Sequence, residues 1–116
     1  MRGLLPGTVT DAATIGLTHD PVPLDQVVAG TPTTGFVGVD ALGEVEVGVW
    51  EMTPGAMRDV EGDEVFVVLA GSATVAFEDP ALAVIELQAG SVVRLTAGLR
   101  TVWTVRETLR KVYLTG

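Results

Sequence analysis

The side chains that could carry out chemistry in this chain are mostly carboxylates, because nitrogen and sulfur donors are scarce. The sequence has one histidine, His19, and no cysteine. A transition-metal site needs several imidazole or thiolate ligands, and nucleophilic hydrolysis needs a histidine beside its nucleophile. His19 lies in a proline-rich segment, where we expect it to be exposed to solvent. We therefore predict that the chain holds no metal and no cofactor.

Four acidic residues crowd one short segment: Asp59, Glu61, Asp63 and Glu64. Carboxylates are the ligands that Ca²⁺ and Mg²⁺ accept, but this spacing matches no calcium loop, so we expect an exposed acidic loop. Glu64 begins an apolar run and is the only candidate for a catalytic acid or base. A single carboxylate without a partner base or a Lewis acid supplies little rate enhancement. Whether the protein is an enzyme stays open.

The bulk properties restrict the partners of the protein. Its net charge of −8 opposes nucleic-acid binding, which requires clustered lysines and arginines. The apolar residues form short runs rather than one stretch of about eighteen, so we expect no transmembrane helix. The first seven residues contain too short an apolar run for a secretory signal. We expect a cytoplasmic protein that binds neither nucleic acid nor membranes.

The 116 residues are enough for one domain with one core. Residues 1–35 are rich in proline, glycine, threonine and aspartate, and we predict an N-terminal arm there. Within it, Leu24 to Ala29 is a short apolar stretch, either a strand or one helical turn lying across the body. Residues 36–116 are predicted to form the barrel. We expect the arm to cover a sheet edge of a neighbouring subunit, which would make the protein a homodimer.

The barrel region consists of short β-type runs separated by turn residues. Residues 44–52 begin with alternating acidic and apolar residues and follow Leu42-Gly43, which predicts a hairpin. A second hairpin is predicted around Gly71, between strands 64–69 and 74–77. No segment after residue 36 has the length and period of a good helix. Eight or nine strands in about eighty residues indicate an all-β sandwich or barrel.

The spacing of Glu64-x6-Gly71, followed by Gly90-x5-Thr96-Ala97-Gly98-x2-Thr101, resembles the two signature motifs of the cupin superfamily. Those motifs read G-x5-H-x-H-x3-E-x6-G and G-x5-P-x-G-x2-H-x3-N. The places of the histidines are taken by other residues: Arg58 and Val60, or Met57 and Asp59 in the alternative spacing, and Thr101. The turn glycines are therefore kept while the nitrogen ligands of the metal are absent.

A more specific resemblance points to the cupin-3 family of short stand-alone domains, which are similar to the halves of ureidoglycine aminohydrolase. It rests on residues 48–55, on Trp103-x-Val105-x-Glu107 and on Arg110-Lys111-x-Tyr113, with residues 28–32 as the usual approach. The likeness covers roughly residues 26 to 115. It implies a cupin-type jelly-roll β-barrel, also called a double-stranded β-helix, that associates as a homodimer. Cupin folds host many unrelated activities, so the resemblance specifies no reaction.

Strand alternation places several side chains inside such a barrel. If Glu64 points inward, as the glutamate of the motif does, Phe66 and Val68 do so too. The same alternation turns Thr101, Trp103 and Val105 inward. A buried carboxylate needs a cation or hydrogen-bond donors, and Arg58 is the partner that the sequence offers for Glu64. Lys111 and Tyr113 share one face of the last strand, where packing and solvent contact are expected, and Arg110 faces the other way.

Three functions remain open on this basis. The first is a metal-free binding domain for a small polar molecule, with a pocket built from Trp50, Arg58, Glu64, Thr101 and Trp103. The second is an enzyme of the ureide or amine type, as the resemblance suggests, with Glu64 as acid or base. The third is a purely structural dimerisation module. The barrel interior separates them: an open polar pocket favours the first, an ion on Glu64 the second, and complete filling by side chains the third.

Overall fold

The computed structural model describes residues 3–116, which fold into nine β-strands and contain no helix. In chain order these strands are β1 (His19–Pro21), β2 (Val27–Ala29), β3 (Thr33–Leu42), β4 (Val45–Met52), β5 (Gly55–Val60), β6 (Glu64–Phe77), β7 (Ile85–Leu87), β8 (Val92–Leu95) and β9 (Arg100–Thr115). All strand pairs are antiparallel. No helix that could cross a membrane occurs in the described residues. The predicted all-β class and the predicted β3–β4 hairpin are confirmed.

The strands form two sheets that share the two longest strands, β6 and β9. One sheet has the order β1-β3-β4-β9-β6-β8, and the other has the order β2-β5-β9-β6-β7. In the first sheet Val67 of β6 lies opposite Val112 of β9, and in the second sheet Val75 lies opposite Trp103. Because β6 and β9 each continue from one sheet into the other, the sheets close around one interior. This is the predicted jelly-roll barrel.

The second predicted hairpin is wrong, because β6 runs through Gly71 without reversing. Gly71 has a φ of 93°, and the register of β6 with β9 shifts on both sides of it. A Cβ atom at this position would overlap the backbone carbonyl oxygen of Thr108 on β9. Positive φ and close backbone approach both favour glycine, and here they produce a bend between the two sheets instead of a turn.

The core lies between the two sheets and is built from the inward-facing residues of the long strands. Its largest fully buried side chains belong to Trp103, Phe66, Met52, Leu95 and Leu109. Since alternate residues of a strand face opposite sides, these positions follow directly from the alternation along β4, β6, β8 and β9. The core fills most of the barrel and leaves a cavity toward one end.

The described part of the predicted arm packs on the barrel of its own chain; residues 1 and 2 lie outside the described residues. Strand β1 pairs with β3, and β2 pairs with β5, so each extends one sheet. Strand β3 begins at Thr33, within the predicted arm. Val22, between the two short strands, is buried in the core. The arm therefore covers edges of its own barrel through intrachain pairing.

An ion-pair network fixes the arm to the outer face of β4 and β9. The Arg110 guanidinium donates hydrogen bonds to Glu51 Oε2 at 2.8 Å and to the carbonyl oxygens of Ala12 at 3.0 Å and Ile15 at 2.8 Å. The predicted exposure of His19 is wrong: its side chain is 22% exposed, and its Nε2 lies 2.8 Å from Glu51 Oε1. Burial alone would raise the pKa of Glu51, but hydrogen bonds from Arg110 and His19 outweigh it and lower that pKa. His19 is thus a structural residue, far from the barrel interior.

Candidate functional site

The barrel contains a cavity of about 160 Å³ that opens toward one end. Its wall combines aromatic rings with ionisable groups. The lining residues are Phe36, Trp50, Met57, Asp59, Glu61, Glu64, Trp103, Lys111, Tyr113 and Thr115. The five longest strands, β3, β4, β5, β6 and β9, contribute these side chains, except for Glu61, which follows β5. A concave site with apolar walls and a few convergent polar groups is the usual form of a small-molecule pocket.

The inward positions predicted from strand alternation are confirmed. Phe66 and Val68 on β6 are fully buried, and so are Thr101, Trp103 and Val105 on β9. Glu64 begins β6 with its carboxylate directed into the cavity. Two of the predicted pocket residues, Trp50 and Trp103, face each other with ring centroids 5.6 Å apart and an interplanar angle of 54°. Both tryptophans of the chain therefore lie in this one site.

The predicted role of Arg58 is wrong. On β5 the side chains of Met57 and Asp59 point into the barrel, so the Arg58 side chain points outward and is exposed. It lies beside Arg100 on a separate surface groove. The strand alternation that places Asp59 inside is the same alternation that places Arg58 outside. Arg58 is therefore absent from the cavity wall and forms no ion pair with Glu64.

The cation that pairs with Glu64 is Lys111, which was expected to contact solvent. Lys111 is 5% exposed, and its Nζ donates a hydrogen bond to Glu64 Oε2 at 2.6 Å. It lies directly opposite Trp50 in the β4–β9 register, on the inner face of the sheet. Strand alternation placed Lys111 beside Tyr113 correctly, but the sequence did not show that this face is the interior. Tyr113 also lines the cavity.

Three aromatic rings surround the Lys111 ammonium. Its Nζ lies 4.2 Å from the ring centroid of Phe66, 4.7 Å from that of Trp50 and 4.8 Å from that of Trp103. Each distance is within the range in which a ring face attracts a cation. The ammonium is therefore stabilised by ring quadrupoles as well as by the Glu64 carboxylate, which offsets the desolvation of a buried charge. Nothing in the sequence pointed to Lys111 except its place in the run Arg110-Lys111-x-Tyr113, on which the family resemblance partly rests.

Glu61 lines the cavity, although its place in the acidic segment predicted an exposed position. It is 8% exposed, and its Oε2 accepts hydrogen bonds from Thr101 Oγ1 at 2.6 Å and Trp103 Nε1 at 3.0 Å. Its backbone N–H donates to the Leu99 carbonyl, which holds it against the barrel end. Thr101, a predicted ligand-binding residue, therefore lies behind Glu61 as a support. The alternation of Met57 and Asp59 along β5, continued by one step past the end of the strand, was the signal that could have placed Glu61 inside.

Two other groups in the cavity have perturbed proton affinities. Burial and the nearby negative charge of Glu61 raise the pKa of Asp59 above its ordinary value of 3.8. Burial and the negative charge of Glu46 raise the pKa of Tyr113 to about 12. The phenol therefore stays protonated at neutral pH, and its hydroxyl points at Glu46 Oε1 over 3.4 Å. Asp59 is a carboxylate whose ionised form is disfavoured in the folded chain.

The raised pKa of Asp59 predicts a pH-dependent contribution to stability. The folded state binds a proton at Asp59 more tightly than the unfolded state, so ionised Asp59 lowers the free energy of unfolding as the pH rises above 3.8. Asp59→Asn is therefore expected to stabilise the protein at neutral pH, with a gain that shrinks as the pH falls toward that value. Urea titrations at several pH values measure it. The control is Asp20→Asn, at an exposed position on β1, which should show no such gain.

The site residues do not fit the metal that the cupin resemblance implies. Glu64, the retained motif ligand, is engaged by the Lys111 ammonium, and Thr101, at the place of a histidine, donates to Glu61. Within residues 3–116 no three histidine, aspartate or glutamate side chains converge to hold an ion. Lys111 thus supplies the positive charge that Glu64 would otherwise share with a metal ion.

Comparison with known proteins agrees with the cupin fold of the chain. The family model described as the EutQ-like cupin domain matches residues 39–113. The EutQ protein of Clostridium difficile has a TM-score of 0.62 and 17% identity, over 72% of this chain and 68% of that one. A putative ethanolamine utilization protein Q of Salmonella typhimurium has a TM-score of 0.62 and 15% identity, over 88% and 96% of the two chains. A Pseudomonas syringae protein of unknown function has a TM-score of 0.75 and 20% identity, over 91% and 46%. No curated protein matches the chain.

Proposed function

Because this chain belongs to the EutQ-like cupin domain family, we propose that it uses the barrel cavity to bind a small polar molecule without a metal ion. Trp50 and Trp103 form the wall against which such a ligand packs, and Glu64 with its partner Lys111 forms the polar floor. Thr101 supports the site through Glu61, and Arg58 has no part in it. The proposal concerns binding, and it assigns no reaction to the domain.

The observation that carries the proposal is that the core leaves a cavity open beside a buried ion pair. A volume of about 160 Å³ is small for a ligand pocket, which favours a small molecule. A purely structural module has no use for a concave space lined by aromatic and ionisable groups, whereas such a space is the usual form of a ligand site. The interior therefore supports a binding function over a purely structural one.

A catalytic role for Glu64 receives less support from the geometry. Its Oε2 accepts a hydrogen bond from the Lys111 ammonium at 2.6 Å, so this oxygen is already engaged within the chain. The family resemblance to ureide or amine enzymes concerned members in which histidines bind a metal, and those ligands are absent here. Binding needs only the pocket that is present.

Tryptophan fluorescence tests this proposal, because both tryptophans of the chain line the cavity. We expect at least one member of a panel of small amines, amides, carboxylates, ureides and alcohols to change the emission saturably at micromolar to millimolar concentration. Trp50→Phe should reduce the affinity, whereas Leu42→Ala, at the exposed end of β3, should leave it unchanged. A panel without any saturable response, or equal affinities in all three proteins, would contradict a binding function for this cavity.

A further inference from the structure

The ionisable groups of the cavity carry an excess of negative charge. Three carboxylates, those of Asp59, Glu61 and Glu64, line the space together with one ammonium, that of Lys111. Lys111 compensates Glu64 directly at 2.6 Å. With all groups ionised, two negative charges remain without a compensating cation. A ligand that carries a negative charge would therefore be repelled from this space, and a positively charged ligand would be attracted.

The uncompensated charges belong to Asp59 and Glu61. Among residues 3–116, neither carboxylate forms an ion pair with a lysine, arginine or histidine. Glu61 is more than nine-tenths buried and receives only the neutral hydrogen bonds of Thr101 and Trp103. Burying an unpaired carboxylate is unfavourable, and proteins normally meet this with a cation or a proton. The raised pKa of Asp59 has the same cause, since burial and Glu61 make the site attract a proton.

A second observation, independent of the excess negative charge, is that the cavity wall already stabilises one organic ammonium group. The Lys111 Nζ lies among the ring faces of Phe66, Trp50 and Trp103, next to one carboxylate. At the mouth of the same cavity stands a further ring, that of Phe36, which is 68% exposed and lies opposite Trp50 in the β3–β4 register. Aromatic faces combined with carboxylates are the groups that recognise ammonium ligands. The unoccupied part of the cavity offers this same combination.

From these features we infer that the ligand is a small protonated organic amine. Its ammonium group lies at Asp59 and Glu61, and its short hydrocarbon part packs against Trp50 and Phe36. The inference rests on the proposed binding function and names the chemical class of the ligand. The cavity volume of about 160 Å³ favours an amine with a short hydrocarbon part.

Three probes of nearly equal shape test the charge preference: n-propylammonium, propionamide and propionate. Their affinities are measured by titration calorimetry or tryptophan fluorescence at neutral pH. We expect propylammonium to bind about tenfold or more tightly than propionamide, and propionate to bind most weakly, since like charges repel. Raising the salt concentration should weaken propylammonium binding and leave propionamide binding unchanged.

Matched variants show whether Asp59 and Glu61 cause the preference for a positively charged ligand. Asp59→Asn and Glu61→Gln keep the shape of each side chain and remove its charge, and each should reduce propylammonium affinity about fivefold or more, as loss of a charge-assisted contact does. Neither should weaken propionamide binding. Asp59→Asn serves as the decisive variant if Glu61→Gln disturbs folding through Trp103. Asp20→Asn is the control for both.

The outcomes separate this inference from the proposed function. Equal or tighter binding of propionamide or propionate, or an unchanged propylammonium affinity in Asp59→Asn, overturns the amine assignment. If no amine of the fluorescence panel binds while an uncharged or anionic member of the panel binds in the cavity, the binding function stands and the amine assignment is wrong. If no molecule binds at all, both are wrong.

Discussion

Replacing Lys111 with methionine is expected to lower the free energy of unfolding by about 3 kcal/mol, because Glu64 would then be a buried carboxylate without its cation. Methionine keeps a straight apolar chain against Phe66, Trp50 and Trp103, so the loss reports on charge more than on packing. We expect a loss at the lower end of the range that is usual when one partner of a buried ion pair is removed, since the Glu64 side chain is still 16% exposed. Urea denaturation measures the change.

Two further variants separate the ion pair from packing. The double variant Lys111→Met with Glu64→Met should recover most of the lost stability, because replacing a buried pair by apolar residues is often neutral. Arg100→Met removes an exposed ion pair with Glu78 at 3.9 Å and should change the free energy of unfolding by less than about 1 kcal/mol. If Lys111→Met alone is as stable as the parent protein, Lys111 does not neutralise Glu64 in the folded chain.

Gly71→Ala is expected to lower the free energy of unfolding by about 3 kcal/mol or more. Its φ of 93° is unfavourable for a residue with a Cβ, and that Cβ would overlap the carbonyl oxygen of Thr108. Relief of the overlap would require β6 and β9 to move apart at the bend where both strands pass from one sheet to the other. Thermal and urea denaturation measure the loss.

Gly62→Ala is the matched control, because a Cβ at Gly62 would meet no atom within 4 Å and its φ is not positive. This variant should be neutral or more stable by about 0.5 kcal/mol, through the lower entropy of its unfolded chain. Equal stability of Gly71→Ala and Gly62→Ala would mean that the bend in β6 does not depend on glycine. The account of how one strand serves both sheets would then be wrong.

The sequence predicted those features of the fold and site that depend on local alternation. Phe66 and Val68 on β6, and Thr101 and Trp103 on β9, are inside because each is two residues from an inward neighbour. The resemblance to the cupin-3 family was equally readable, from residues 48–55 and from the runs that begin at Trp103 and Arg110, and the family model that matches residues 39–113 confirms it. Local patterns of this kind need no knowledge of which strands pair.

The features that the sequence did not predict depend on contacts between distant strands. Glu64 and Lys111 are separated by 47 residues, and only the closure of the barrel brings them together. Arg58 was chosen as the partner because it is close in sequence, although alternation along β5 turns it outward. At Gly71 the same positive φ fits a hairpin or a bend, and the register with β9 decides between them.

Glu61 and His19 also have partners that depend on contacts between distant segments of the chain. Glu61 extends the alternation of β5 by one step beyond the end of the strand, where its backbone is held by Leu99 and Gly98. His19 reaches Glu51 and Thr33 only because β1 pairs with β3. By residue type alone both side chains are expected in solvent, but the tertiary structure provides hydrogen-bond partners for both.

The most direct test of a metal-free cavity is to measure how many metal ions the protein binds. Purified protein is incubated with Zn²⁺, Mn²⁺, Fe²⁺ or Ni²⁺, freed of excess ion by gel filtration, and analysed for metal by mass spectrometry. Because the Lys111 ammonium already pairs with Glu64, we expect far less than one ion per chain and an unchanged tryptophan emission. One ion per chain that is lost in Glu64→Gln would place a metal in the cavity and contradict the account.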